Sequence, residues 1–222
     1  MSSLAAQPFL AVLVTEAKAT MAKKKSANKA TKKDGATGAT CKVVLGLGIS
    51  LDGYIARRDG SVDFLFMPKD YSMGPFFKTI DTAVLGRKTY DDGLKMGGTF
   101  GGSIKYFVFS NTLPTGKRNG VTFTNDSPKS VIEAIRKTPG KNIWLMGGGE
   151  LIRNFLKEDL VDELHLGVVP VLIGEGIPLF PSGFPQREFD LVENKSYSRG
   201  FVALRYTRAG KNAGAAKTKH DK

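Results

Sequence analysis

Three stretches carry residue types that could hold an anionic ligand. In 147-GGGE-150, Gly147, Gly148 and Gly149 stand between the apolar run 142-NIWLMG-147 and the amphipathic run 149-GELIRNFLKE-158. A strand that hands over to a helix at bare glycines offers unpaired N–H groups and the positive end of a helix dipole, a place for a phosphate. A tight packing corner is the other reading of the same glycines. The absence of a G-K-[S/T] ending excludes a P-loop. In 86-GRKTY-90, Gly86 follows the apolar run 82-TAVLG-86, and Arg87, Lys88 and Thr89 fall in a first helical turn. Cations there oppose the dipole, and a bound anion removes the conflict; a solvated basic turn is the alternative. Ser110, Asn111 and Thr112 end the run 105-KYFVFS-110 and read as ligand-facing groups or as a loop cap. A fourth stretch, 46-GLGISLDG-53, imitates the dinucleotide fingerprint but has Leu51 where its third glycine belongs. It fails as a Rossmann signal, which leaves close approach of a ligand or a strand to bare backbone.

The elements that must position these groups alternate in type. Apolar, β-branched runs at 42–49, 82–86, 105–110, 121–125 and 142–147 read as strands, and 74–80, 87–94, 127–138 and 149–158 read as helices. Ser127 can cap and Pro128 suits a first helical position, with Val131, Ile132 and Ile135 on one face. The last third, 161–174, 187–198 and 200–208, reads as longer strands, with a tight turn at Arg199–Gly200. Such a pattern predicts an α/β domain with a mostly parallel sheet covered by helices and an antiparallel C-terminal edge. The anion-binding candidates then follow successive strands at one edge of that sheet, where open α/β sheets bind ligands.

Length and composition are those of one globular domain: 222 residues, 41% hydrophobic, 24% charged. Cys41 is the single cysteine, so an internal disulfide is excluded, a Cys-based zinc site has no support and no metal site is expected. Of the net charge of +12, residues 1–40 carry +5 and 209–222 carry +3, leaving +4 for 41–208. The basic ends, rich in Ala, Gly, Lys and Thr, are expected to be disordered extensions rather than polyanion-binding arms. The apolar 8-PFLAVLV-14 is too short to span a membrane, and the absence of Arg in 1–40 argues against a transit peptide. Met21 reads as an alternative start. A cytoplasmic protein without membrane or specific nucleic-acid partners is expected.

The stretches 50-SLDGYIA-56, 59-DGSVDFL-65, 85-LGRKTYD-91, 107-FVFSNT-112, 145-LMGGGELI-152 and 160-LVDELHLGVVPVLIGEGIPLF-180 together resemble the dihydrofolate reductase-like superfamily. The closest branch is the riboflavin-pathway reductase domain and its small stand-alone relatives, and the similarity covers about 42–207. The resemblance implies a three-layer α/β/α fold and NADPH as hydride donor. It implies Arg87, Lys88 and Thr89 at the adenosine-side phosphate, and Ser110, Asn111 and Thr112 flanking the adenine ribose. Gly147, Gly148, Gly149, Glu150 and Leu151 then form the loop under the pyrophosphate, with a cis Gly–Gly peptide. The backbones of Gly48 and Ile55 would hold the nicotinamide carboxamide. It also implies dimerisation through the β-rich end, with which the apolar 166-LGVVPVLIG-174 is compatible. One departure is chemical. Folate reductases carry an acid four positions before a Phe-Lys pair, and at Phe77–Lys78 that position is Met73. The zinc deaminase signature of the bifunctional riboflavin enzymes is absent as well.

Reduction of a C=N or C=O bond needs a proton donor. Asp52 and Asp63 are the candidates, Asp52 with a second reading as the cap of the Ser50–Tyr54 turn and Asp63 with a second reading as a turn residue. His165, in an apolar strand, reads as structural. Arg57 and Arg58 could meet a phosphorylated substrate.

Overall fold

The structure, a computed structural model, describes residues 41–210; the extensions expected at 1–40 and, from residue 211 on, at 209–222 lie outside the described residues. The chain runs β1 (Val43–Ile49), β2 (Tyr54–Ala56), α1 (Gly74–Lys78), β3 (Ile80–Gly86), α2 (Arg87–Lys95), β4 (Lys105–Phe109), β5 (Gly116–Arg118), β6 (Val121–Thr124), α3 (Pro128–Arg136), β7 (Asn142–Gly147), α4 (Gly149–Lys157), β8 (Glu163–Val168), β9 (Ile177–Pro178), β10 (Phe189–Ser196) and β11 (Val202–Arg208).

Nine strands form one sheet in the order β10-β11-β8-β1-β7-β3-β4-β6-β5. The block from β8 to β6 is parallel. Strands β11 and β10 close one edge antiparallel, as the long C-terminal runs predict, and β5 closes the other, an edge the sequence did not announce. Its three residues, Gly116, Lys117 and Arg118, have no apolar alternation to betray them.

Alternation along the central strands builds the three layers. Val43, Leu45, Val84, Ile143 and Leu145 face Ile132 of α3 and Leu151, Ile152, Phe155 and Leu156 of α4. Val44, Ala83, Leu85, Trp144 and Met146 face Phe76 and Phe77 of α1, with Tyr90 of α2 packed at the margin. Two dry clusters thus sandwich the sheet, since strand side chains point alternately to either face. The run 161–174 is not one strand. It leaves the sheet after Val168, because Pro170 has no N–H to give to a ladder. The chain then turns through Gly174 and returns as β9, which pairs with β2 in a second, two-stranded sheet. Arg199 and Gly200 turn the β10–β11 hairpin with φ of 60° and 74°.

Candidate functional site

A cleft of about 610 Å³ opens at the carboxyl ends of β1, β3, β4, β6 and β7. Its position follows from topology. The strand β7 is inserted between β1 and β3, so the chain runs away from that gap in both directions and leaves a crevice above it. The pairing register brings the ends level: Gly86 is opposite Phe109, and Phe109 opposite Thr124.

Two helices begin on glycine at this edge. Gly86 caps α2 and Gly148 caps α4, each in extended conformation and neither with a capping side chain. A Cβ built on Gly86 would lie 3.7 Å from the Gly148 nitrogen, so the two helix starts abut. The three glycines of 147–149 serve different ends. Gly147 has φ of 105° and is joined to Gly148 by a cis peptide. Gly148 lines the cleft, and its Cβ would meet the Thr89 hydroxyl at 3.4 Å. Gly149 is a packing glycine as well as a cleft residue: its Cβ would stand 3.0 Å from the Pro178 carbonyl oxygen and 3.1 Å from Pro181.

The other expected residues divide. Gly48, Ile55, Gly86, Arg87, Lys88, Thr89, Ser110, Asn111, Gly148, Gly149, Glu150 and Leu151 line the cleft. Gly147 and Thr112 do not; Thr112 builds a turn with Ser110, in which the Ser110 hydroxyl oxygen accepts from the N–H groups of Thr112 and Leu113. Arg87 is held by Asp91 one helical turn on, at 2.6 Å. Glu150 is paired with Arg153 at 3.0 Å.

The two carboxylates expected as proton donors are placed elsewhere. Neither Asp52 nor Asp63 lines the cleft. Asp52 accepts from the Ser50 hydroxyl at 2.6 Å and from the backbone N–H groups of Ile173 and Gly174 at 3.0 and 2.8 Å. Those bonds, the Ser50 hydroxyl foremost, hold its pKa below the usual carboxylate value. Asp63 is exposed and forked onto Arg57 at 2.6 and 3.1 Å, and the Arg57 hydrogen bonds lower its pKa too. A carboxyl that is a stronger acid than usual is ionised at neutral pH and has no proton to donate. The capping role offered for Asp52 is the one the geometry displays, extended to a second loop.

Sequence reasoning did not name several apolar residues of the cleft: Leu47, Val62, Leu65, Met96, Trp144 and Met146 line it together with Gly46. Gly46 is bare for a packing reason: a Cβ would lie 2.8 Å from Phe76, and its carbonyl accepts the Trp144 indole N–H at 2.7 Å. Asp92 of α2 also lines the cleft, one turn beyond the expected Lys88. Their spacing with Met96, one residue in four, was the available signal. Asn125 and Asp126 after β6, and the start of α3 at Ser127 and Pro128, line the cleft as well. Met73 is buried at the N-cap of α1 and accepts from the Tyr71 hydroxyl at 2.9 Å, so no acid enters from that position. His165 is bound to Glu163 at 3.0 Å and packs on Phe76, a structural placement.

Comparison with known proteins follows this geometry. The sequence pattern of the RibD C-terminal domain matches residues 107–203. YwjB, a protein of uncharacterised function from Bacillus subtilis (strain 168), is 37% identical over 172 residues, covering 76% of this chain and 98% of the relative. Among solved structures, a protein of Shewanella sp. PV-4 assigned to riboflavin biosynthesis superposes with a TM-score of 0.67 at 28% identity, over 75% of this chain and 98% of that one. A dihydrofolate reductase from Enterococcus faecalis shares the fold with a TM-score of 0.57 at 19% identity, over 76% of this chain and 96% of that one. With its parallel sheet, its helix layers on both faces and its cleft at the strand carboxyl ends, the chain belongs to the RibD C-terminal domain family and has the dihydrofolate reductase-like fold.

Proposed function

We propose that the protein is an NADPH-dependent reductase of a small heterocyclic or ribosylamino substrate, most like the 5-amino-6-(5-phosphoribosylamino)uracil reductases of riboflavin biosynthesis. The observation that carries this reading is the abutment of two glycine-started helices, α2 and α4, beside an apolar compartment in one cleft. Free N–H groups at two helix starts suit a diphosphate, and the Arg87 guanidinium suits a further phosphate on the adenosine ribose. The volume is of the size that takes a nucleotide cofactor and a small partner. When bound, the cofactor supplies the hydride.

The chain's own residues position and exclude. The backbones of Gly48 and Ile55 offer hydrogen-bonding groups at the apolar end, where Leu47, Trp144 and Met146 keep water from the transfer. The Gly147–Leu151 loop and Thr89 hold the middle of the cofactor, and Ser110 and Asn111 its adenosine end. The test is titration of the protein with NADPH. Trp144, the single tryptophan, lines the cleft and reports occupancy by quenching and by energy transfer to the nicotinamide. Saturable quenching by NADPH supports the reading, and none with either NADPH or NADH refutes it.

A second reading is favoured by one observation. Asp52 and Asp63 lie away from the cleft, and Met73 stands where folate reductases carry an acid. A dimeric nucleotide-binding module without catalysis fits these facts. Cofactor binding without oxidation of NADPH across a panel of amino-substituted pyrimidines would select it.

A further inference from the structure

Residues 57–73 join β2 to α1 without helix or strand. A loop of this length in a compact domain is usually functional or disordered. This one reaches the cleft, which Val62 and Leu65 line. Its backbone bonds are local: Arg57 N–H to the Ser61 carbonyl, Leu65 N–H to that of Val62, Tyr71 N–H to that of Pro68. Bonds of this kind shape the loop but do not fix where it stands against the sheet.

The tip of the β10–β11 hairpin supplies the long-range hold. Asp70 accepts from the Ser198 backbone N–H at 2.9 Å and from its hydroxyl at 2.7 Å, across 128 residues of chain. Tyr71 packs edge-on against Tyr197 with ring centres 5.0 Å apart, and on Phe201 at 4.8 Å. Phe201 is fully buried and also meets Phe66 at 6.4 Å. Over that Phe66 ring lies the Arg199 guanidinium, 3.9 Å from its centre, a cation–π contact. Phe66 is the chain neighbour of Leu65, so the contact bears directly on a residue of the cleft wall.

Arg199 holds this place in a conformation that glycine or asparagine adopts more readily. Its φ is 60°, and Gly200 follows at 74°, in a turn where Asn-Gly is the favoured pair. The left-handed backbone disfavours a Cβ. The Phe66 ring beneath the guanidinium explains why a long cationic side chain stands there.

We infer that Arg199 is a positioning residue for the cleft. Through Phe66 it fixes the 57–73 loop, so that Val62 and Leu65 stand as a set wall, and Asp70 on Ser198 is the second hold. Its consequence for NADPH rests on the cofactor reading; its consequence for the loop does not.

The test compares the full wild-type chain with Arg199→Gly, Arg199→Lys and Asp70→Ala. Arg199→Gly suits the turn better than the native residue while removing the guanidinium, so it separates the hold on the loop from the folding of the hairpin. Amide hydrogen exchange of residues 62–71, acrylamide quenching of Trp144 and the melting temperature are read without cofactor. Trp144 is 1% exposed, lines the cleft and shares a core cluster with Leu65, so its quenching reports movement of the wall. Arg199→Gly should speed exchange at 62–71 by about three- to tenfold, the size of one cation–π contact, and raise the quenching of Trp144. Its melting temperature should stay within about 2 °C, because relief at the turn offsets the lost contact. Asp70→Ala should loosen the same amides. Arg199→Lys keeps a cation over the ring and should match the wild type within about twofold. NADPH affinity should fall about threefold or more in Arg199→Gly and be restored in Arg199→Lys.

Unchanged exchange and quenching in Arg199→Gly overturn the inference. So does loosening that Arg199→Lys fails to restore, loosening that comes only with a fall in the melting temperature, or a loosened loop with full NADPH affinity. Failure of the wild type to bind NADPH sinks the cofactor reading instead, and exchange and quenching then decide the role of Arg199 without it.

Discussion

Asp52 accepts a 2.8 Å hydrogen bond from the backbone N–H of Gly174, 122 residues further along the chain. With the bond from Ile173 and the pairing of β2 with β9, it fastens the 50–56 turn to the 171–178 segment. The wall beside Ile55 is thereby a fixed surface. Replacing Asp52 with Ala should free both segments: faster proteolytic cleavage near Gly174, several-fold weaker NADPH binding, and a nearly unchanged melting temperature, since neither segment belongs to the main sheet. The pH dependence has a definite sign. A pKa lowered in the folded state means that the tether is intact above the ordinary carboxylate value of about 4 and is lost as pH falls through the lowered one. Acid that carries the pH below that lowered pKa should therefore reproduce the Asp52→Ala cleavage pattern in the wild type.

On the proposed reading, a preference for NADPH over NADH should depend on Arg87. Arg87→Ala should raise the Kd for NADPH by about tenfold or more and that for NADH by about threefold or less, because only NADPH carries the extra phosphate. Fluorescence titration of both cofactors measures the ratio. Equal losses would remove the phosphate role of Arg87.

Gly86 and Gly149 separate binding from stability. Gly86→Ala introduces a Cβ with ordinary contacts at 3.7 Å in an extended conformation that Ala adopts freely. Its melting temperature should be kept while NADPH binding weakens, as the methyl intrudes between two helix starts. Gly149→Ala forces a Cβ to 3.0 Å from the Pro178 carbonyl, which is backbone and cannot swing aside. It should cost about 1–3 kcal/mol in chemical denaturation, the range for overpacking.

Glu163 sits between His165 and Lys42, at 3.0 and 2.7 Å. The His165 hydrogen bond, then the Lys42 contact, hold its pKa down to about 2. Because the folded value is below the unfolded one of about 4.3, the stabilisation is complete above that pH and is lost as pH falls toward 2. Glu163→Gln should lower stability by roughly 2 kcal/mol at pH 7 and narrow the gap to the wild type by pH 3. A gap constant with pH would show that the charge is not the cause.

Much of the scaffold was legible in one dimension. The strands β1, β3 and β7 read as apolar runs because they are buried on both faces, and α3 and α4 announce themselves by Ser127, Pro128 and the 3.6-residue spacing of Ile132, Ile152, Phe155 and Leu156. The glycines and the GRKTY turn could be named as anion-binding candidates because helix starts are local. What stayed hidden depends on distant partners. The strand β9 exists only because β2 lies beside it, and β5 has no hydrophobic period to read. Asp52 and Asp63 have the right chemistry for proton transfer in a linear reading, and only Gly174 and Arg57 show that each is engaged elsewhere.

The sequence by itself determined the class of the domain, the order of its elements and the local chemistry of each turn, because backbone propensity and side-chain period act over a few residues. Tertiary structure alone decided how closely those turns abut, that Gly148 faces the cleft while Gly149 also packs against Pro178, and that Arg87 is tied to Asp91 while Lys88 lies beside Gly60. Those outcomes depend on strand order, and strand order is set by which apolar faces bury one another across the whole chain.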